Sequence, residues 1–195
     1  MALVLLRTFS LLLRILCKRP SFVAYASRIA KDSYTQQTKF INRCLSASNV
    51  ALPVCALDLL GAMAAVDSSC AEFLFETIDF TMKSFLGFPT NRRKVTVDQA
   101  TRVESDQRTA FIDFYSALLS SGKYEVKQSC LRMNQFISPI VSGLFSDSPD
   151  GVLSFLSVID STILENEQHS KSMTVSFFTQ GNINNLMKLL EYENP

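Results

Sequence analysis

Apolar side chains recur at helical spacing along almost the whole chain, and no segment shows the strict alternation of a half-buried strand. This pattern constrains the fold more than any other feature. A helix with one apolar stripe must bury it, and without a sheet it buries it on other helices. The clearest case follows Ser105. Phe111, Phe114, Tyr115, Leu118 and Leu119 fall at i, i+3, i+4, i+7 and i+8, and Gly122 is placed to end that helix.

The same period is read on either side. Residues 2–18 are apolar except at Arg7, Thr8, Ser10, Arg14 and Lys18. Arg7, Arg14 and Lys18 lie seven and four apart, so they share one helix face. A membrane span needs about 20 apolar residues with few charges, and two arginines interrupt this run. Pro20 stops the helix or starts the next. Residues 21–31 and 34–47 predict two further amphipathic segments. Residues 50–65 predict a small-residue-rich helix with Pro53 in its first turn. Asp67 is placed to N-cap the helix carrying Cys70, Phe73 and Leu74, and Asp79 to cap a short one.

Gly87, Pro89, Asn91 and the triplet Arg92-Arg93-Lys94 mark residues 87–104 as an exposed loop. Beyond Gly122, residues 124–133, 135–146 and 149–164 predict helices. The last segments carry Val175, Phe177, Phe178, Ile183, Leu186 and Leu189.

About ten helices with short connections predict an all-α fold. Each consecutive pair spans roughly 35–45 residues, the size of HEAT and armadillo units, and one pair cannot bury its apolar face alone. We expect an irregular armadillo/HEAT-like α-solenoid over residues 1–195, as a single helical-repeat domain; a compact bundle is the alternative. Composition agrees. A hydrophobic share of 47% is too high for a disordered chain, and six Gly and six Pro are too few for a turn-rich sandwich or a collagen-like chain.

A formal net charge of +1 argues against a chain that coats nucleic acid by charge alone. The charge is unevenly placed. Residues 1–31 hold Arg7, Arg14, Lys18, Arg19, Arg28 and Lys31 and no acid, whereas the remainder carries more acids than bases. One reading of this start is an organelle-targeting presequence over residues 1–31, which would make the chain a mitochondrial helical protein.

Residues for chemistry are sparse. There is no Gly-rich phosphate loop and no nucleophile elbow. Cys17, Cys44, Cys55, Cys70 and Cys130 include no Cys-x-x-Cys pair and lie in apolar segments, as reduced buried thiols do. His169 is the single histidine and stands in a polar loop. A small enzyme would have to use it as its base; the simpler reading is a solvated residue. Asp113, beside Phe111, Phe114 and Tyr115, is either a buried acid or, more simply, a residue that faces water or caps a neighbour. We expect no enzymatic activity, no catalytic, cofactor-binding or metal-binding residues, no membrane and no small-molecule substrate. Arg92, Arg93 and Lys94 are the candidate contact to RNA or a partner.

The order of segments resembles a family. "VALPVCALDLLGAMAA" at residues 50–65 is followed by "CAEFLFETIDFTMKSF", then "DQRTAFIDFYSALLSSGKYEVKQSCL", then a long segment ending "SKSMTVSFFTQGNINNLMKLLEY". This is similar to the N-terminal domain of the nucleolar pre-ribosomal-associated protein 1 family. In that family a Leu/Ala-rich helix precedes an F-(D/N)-F segment, an R-x-A-(F/Y)-(I/V)-x-F helix and a K-x-x-(K/R)-V-x-F-F segment. Here Ile78-Asp79-Phe80, Arg108 to Leu119 and Lys171 to Phe178 hold those places, with Thr174 in place of the basic residue. The resemblance implies a scaffold in early large-subunit (60S) pre-ribosome assembly and pre-rRNA processing, located in the nucleolus. Its implied partners are large-subunit assembly factors, including a helicase-containing complex, and pre-rRNA. It also implies that the chain is the N-terminal part of a longer scaffold. The matching positions Phe80, Arg108, Phe111, Phe114, Leu118, Val175, Phe177 and Phe178 read as core and cap positions rather than as a ligand site.

Overall fold

A computed structural model describes residues 1–49, 51–80 and 97–132. Six helices occupy them: α1 (Ala2–Cys17), α2 (Pro20–Leu45), α3 (Ala51–Ala64), α4 (Ser68–Thr77), α5 (Val97–Ser121) and α6 (Tyr124–Arg132). The described residues contain no strand, so the fold is all-α. The helices expected at 135–146 and 149–164, and the terminal segments, lie outside the described residues.

The core is built around α3. Ten of its 14 residues are buried, on every side of the helix. A helix apolar all round is stable only when neighbours cover each face, and α1, α2, α4 and α5 all pack on it. The packing follows two rows. In one, α1 lies on α3 and α3 on α5; in the other, α2 lies on α4 and α4 on α6. Each odd helix also packs on the even helix that follows it.

Close approach of α3 to α5 depends on Gly61. A Cβ built there would meet the Phe114 Cα at 3.3 Å, so the two backbones nearly touch. Phe111, Phe114, Tyr115 and Leu118 fill the space around this crossing and are fully buried. The Phe111 and Tyr115 rings stack with centroids 6.5 Å apart.

The ends of the helices follow local chemistry. Asp67 has extended backbone, and its carboxylate accepts the Cys70 N–H at 2.7 Å, the expected N-cap. Asn49 accepts the Ala51 N–H at 3.1 Å through its side chain, opening α3. At the far end of α5, the Gly122 N–H donates to the Leu118 carbonyl at 2.8 Å. A Cβ at Gly122 would stand 2.5 Å from that same oxygen, which explains the glycine. Lys123 then reaches back to Glu72 on α4 at 2.9 Å.

Two boundaries differ from the expectation. Segments 21–31 and 34–47 are one 26-residue helix, α2. The polar residues Lys31, Asp32 and Ser33 include no helix breaker. The buried stripe Ala26, Ala30, Tyr34, Ile41, Cys44 and Leu45 runs straight past them. Helix α5 also begins at Val97 rather than Ser105, which shortens the loop expected over 87–104. Residues 97–104 lack Gly and Pro and hold the helix formers Gln99, Ala100, Arg102 and Glu104. A polar run is not by itself a helix stop.

Candidate functional site

Helix α1 turns its arginines toward the protein. Leu6, Ser10 and Leu13 are its buried residues, and Arg7 and Arg14 flank them on the side facing α3. Helix α3 carries one charged residue, Asp58, in an otherwise apolar run. The Ser10 hydroxyl donates to Asp58 Oδ2 at 2.6 Å, and the Arg14 guanidinium donates to Oδ1 at 2.7 Å. Arg7 Nε donates to the Cys55 sulfur at 3.3 Å.

This polar seam forms one wall of an open cleft of about 760 Å³ between α1, α3 and α5. The α5 wall contributes Thr109, Asp113 and Ser116. Asp113 is exposed, so it is not a buried acid. Guanidinium, carboxylate and hydroxyl groups facing one another suit recognition of a polar segment by hydrogen bonds. With both charge signs present, they do not form an anion site.

The ion pair within the seam is half-exposed, with the Arg14 and Asp58 side chains at 51% and 42% accessibility. Its worth is therefore modest, below about 1 kcal/mol. Ser10 differs: it is 2% exposed and relies on Asp58 as acceptor. Asp58→Ala is expected to cost about 1–3 kcal/mol through the stranded hydroxyl. Arg14→Gln should cost less than about 1 kcal/mol. Urea midpoints with unchanged m-values would check this order.

Four of the five thiols are buried as the sequence suggests, and Cys17 is half-buried. Cys44, Cys55, Cys70 and Cys130 are buried, and all five cysteines are free. Burial pushes the Cys70 thiol up to about 11, partly offset by the Ser27 hydroxyl at 3.3 Å. Burial likewise pushes Cys130 up to about 12. Neither is a thiolate at neutral pH. Among the described residues, no group of His, Cys, Asp or Glu is arranged to hold a metal ion, and no helix is long and apolar enough to cross a membrane.

Arg92, Arg93, Lys94 and His169 lie outside the described residues. Of the positions that carry the family resemblance, Phe80, Phe111, Phe114 and Leu118 are buried as expected. Sequence reasoning passes over Ser10 and Asp58. Their signals are a hydroxyl between Arg7 and Arg14 on one face, and a lone acid in an apolar helix.

Comparison with known proteins gives a consistent picture. The family described as "Ribosome 60S biogenesis N-terminal" (Npa1) matches residues 1–195. Nucleolar pre-ribosomal-associated protein 1 of Mus musculus is 24% identical over 184 residues, covering 94% of this chain. The Homo sapiens protein of that description is likewise 24% identical over 184 residues. The chain spans 8% of the length of either relative. No solved structure matches.

Proposed function

The chain belongs to the Npa1 ribosome 60S biogenesis N-terminal family, and from that premise we propose that it is a non-catalytic helical scaffold acting in large-subunit pre-ribosome assembly in the nucleolus. The observation that carries this reading is the family match across residues 1–195. Two relatives described as nucleolar pre-ribosomal proteins support it. Its partners in this reading are large-subunit assembly factors, including a helicase-containing complex, and pre-rRNA.

The architecture we propose is an irregular armadillo/HEAT-like α-solenoid of about ten helices running on through residue 195 as one domain. The two rows of the described helices support it: odd helices stack on odd, even on even, as helix pairs do in a solenoid. Arg92, Arg93 and Lys94 serve in this scheme as a local phosphate contact. The rest of the surface binds protein, since a chain of net charge +1 gains little from long-range attraction to RNA.

The test is affinity purification of the tagged chain from cells, with crosslinking. Large-subunit precursors and their assembly factors are expected to be enriched. Recovery of only mitochondrial or cytosolic complexes would overturn the proposal.

A further inference from the structure

The arginine-inward orientation of α1 has a counterpart on its outer side. Val4, Leu5, Leu11, Leu12 and Ile15 face solvent, with exposures from 45% to 65%. They fall within one arc of the helix, on the side away from Leu6, Ser10 and Leu13. Terminal units of stacked-helix proteins present a polar outer face. Among the described helices, none packs on the outer side of α1, and that side is apolar.

Two details say what would cover this face. First, the charges around it are of one sign. Lys18 follows the edge of the apolar arc, Arg19 stands just past its end, and residues 1–31 contain no acid. Arg7, Lys18, Arg19 and Arg28 make no ion pair among the described residues. Second, the face runs through Leu5 into an apolar groove of about 320 Å³ between α1 and α2, bordered by Phe9, Phe40 and Met63. The groove has room for one large side chain.

We propose that the outer face of α1 docks an amphipathic helix of a partner protein, one whose Leu/Ile/Phe stripe is bordered by Asp and Glu. The partner helix lies along α1 as the next layer of the stack. It places one apolar anchor in the groove and its acids against Lys18 and Arg19. Helix-in-groove docking reads such i, i+3, i+4, i+7 anchors. The 16 residues of α1 offer about 24 Å of length, enough for several turns. A second copy of this chain is the poorer occupant, because two basic rims would meet. The inference rests on the scaffold reading, which supplies a protein partner.

The test places a photo-reactive side chain at Leu12 of the full chain in cells. The crosslinked segment should be an acidic, amphipathic helical sequence from another protein. As a synthetic peptide it should bind the purified chain, and Val4→Glu with Leu11→Glu should weaken binding about tenfold or more. Lys18→Glu with Arg19→Glu should also weaken it, and should flatten its salt dependence. All four positions are exposed, so both variants are expected to keep the melting temperature of the parent.

Crosslinks to lipid, with binding to phosphatidylserine vesicles, would overturn the proposal in favour of a membrane surface. Crosslinks to another copy or another part of this chain, to RNA, or to a segment without acids would overturn it as well, as would the absence of any crosslink. Pre-ribosome recovery is read in the same cells. Its loss in the parent chain removes the scaffold reading, whereas its retention alongside any of these outcomes removes this inference alone.

Discussion

Phe114→Ala is expected to lower the stability of the chain by about 3–5 kcal/mol, the range for emptying a buried aromatic site. Phe114 is fully buried where α5 crosses α3. The cavity cannot collapse easily there. The backbones already approach to contact at Gly61, and Phe111 and Tyr115 are fixed by their own burial. Cores at this density relax only in part, so the cost includes both lost transfer energy and the residual void. Native domains have about 5–15 kcal/mol in total, so a large share of the stability is at stake. Urea denaturation followed by circular dichroism measures the loss. Phe22→Ala is the control: Phe22 is 41% exposed on α2, and its change should stay within about 0.5 kcal/mol.

Overfilling the same crossing is the second large effect. Gly61→Leu should destabilise by about 1–3 kcal/mol or more, because added atoms must push α3 and α5 apart. The obstacle is the Phe114 backbone, which cannot rotate away as a flexible side chain would. Gly61→Ala separates two contributions. Its Cβ at 3.3 Å from the Phe114 Cα is tight yet reachable by a small shift. Alanine also favours the helix by up to about 1 kcal/mol. The alanine variant should therefore lie near the parent, and the leucine variant well below it. If leucine were tolerated as well as alanine, the close crossing would not exist in solution. Combining Gly61→Leu with Phe114→Ala should give a non-additive result, since both act on one contact.

Much of the helical core is legible in the order of the residues. The spacing of Phe111, Phe114, Tyr115, Leu118 and Leu119 names the buried face of α5, and these five are buried. Asp67 as a cap and Gly122 as a stop follow from local backbone chemistry, which acts over a few residues. The merging of 21–31 with 34–47 into α2 is less legible. Polar residues without Gly or Pro are compatible with either a break or a continuing outer face, and only the neighbouring helices decide. The candidate cleft is barely legible at all. Ser10 and Asp58 are 48 residues apart, and their hydrogen bond exists only because α1 lies on α3.

Alone, the sequence determined that the chain is helical, which residues of α5 are core, that four of the five cysteines are buried packing residues, and which family the chain resembles. The first three depend on composition and on periods of three to four residues, which a helix expresses locally; the resemblance depends on the order of four segments. The tertiary structure decided how α1 is turned. Arg7, Arg14 and Lys18 share a face that local pattern alone assigns to solvent. Two of them stay exposed yet reach across to α3, because Asp58 and Cys55 offer partners there. Leucines are left outside in consequence. Orientation depends on what lies opposite, and no period within one helix encodes it.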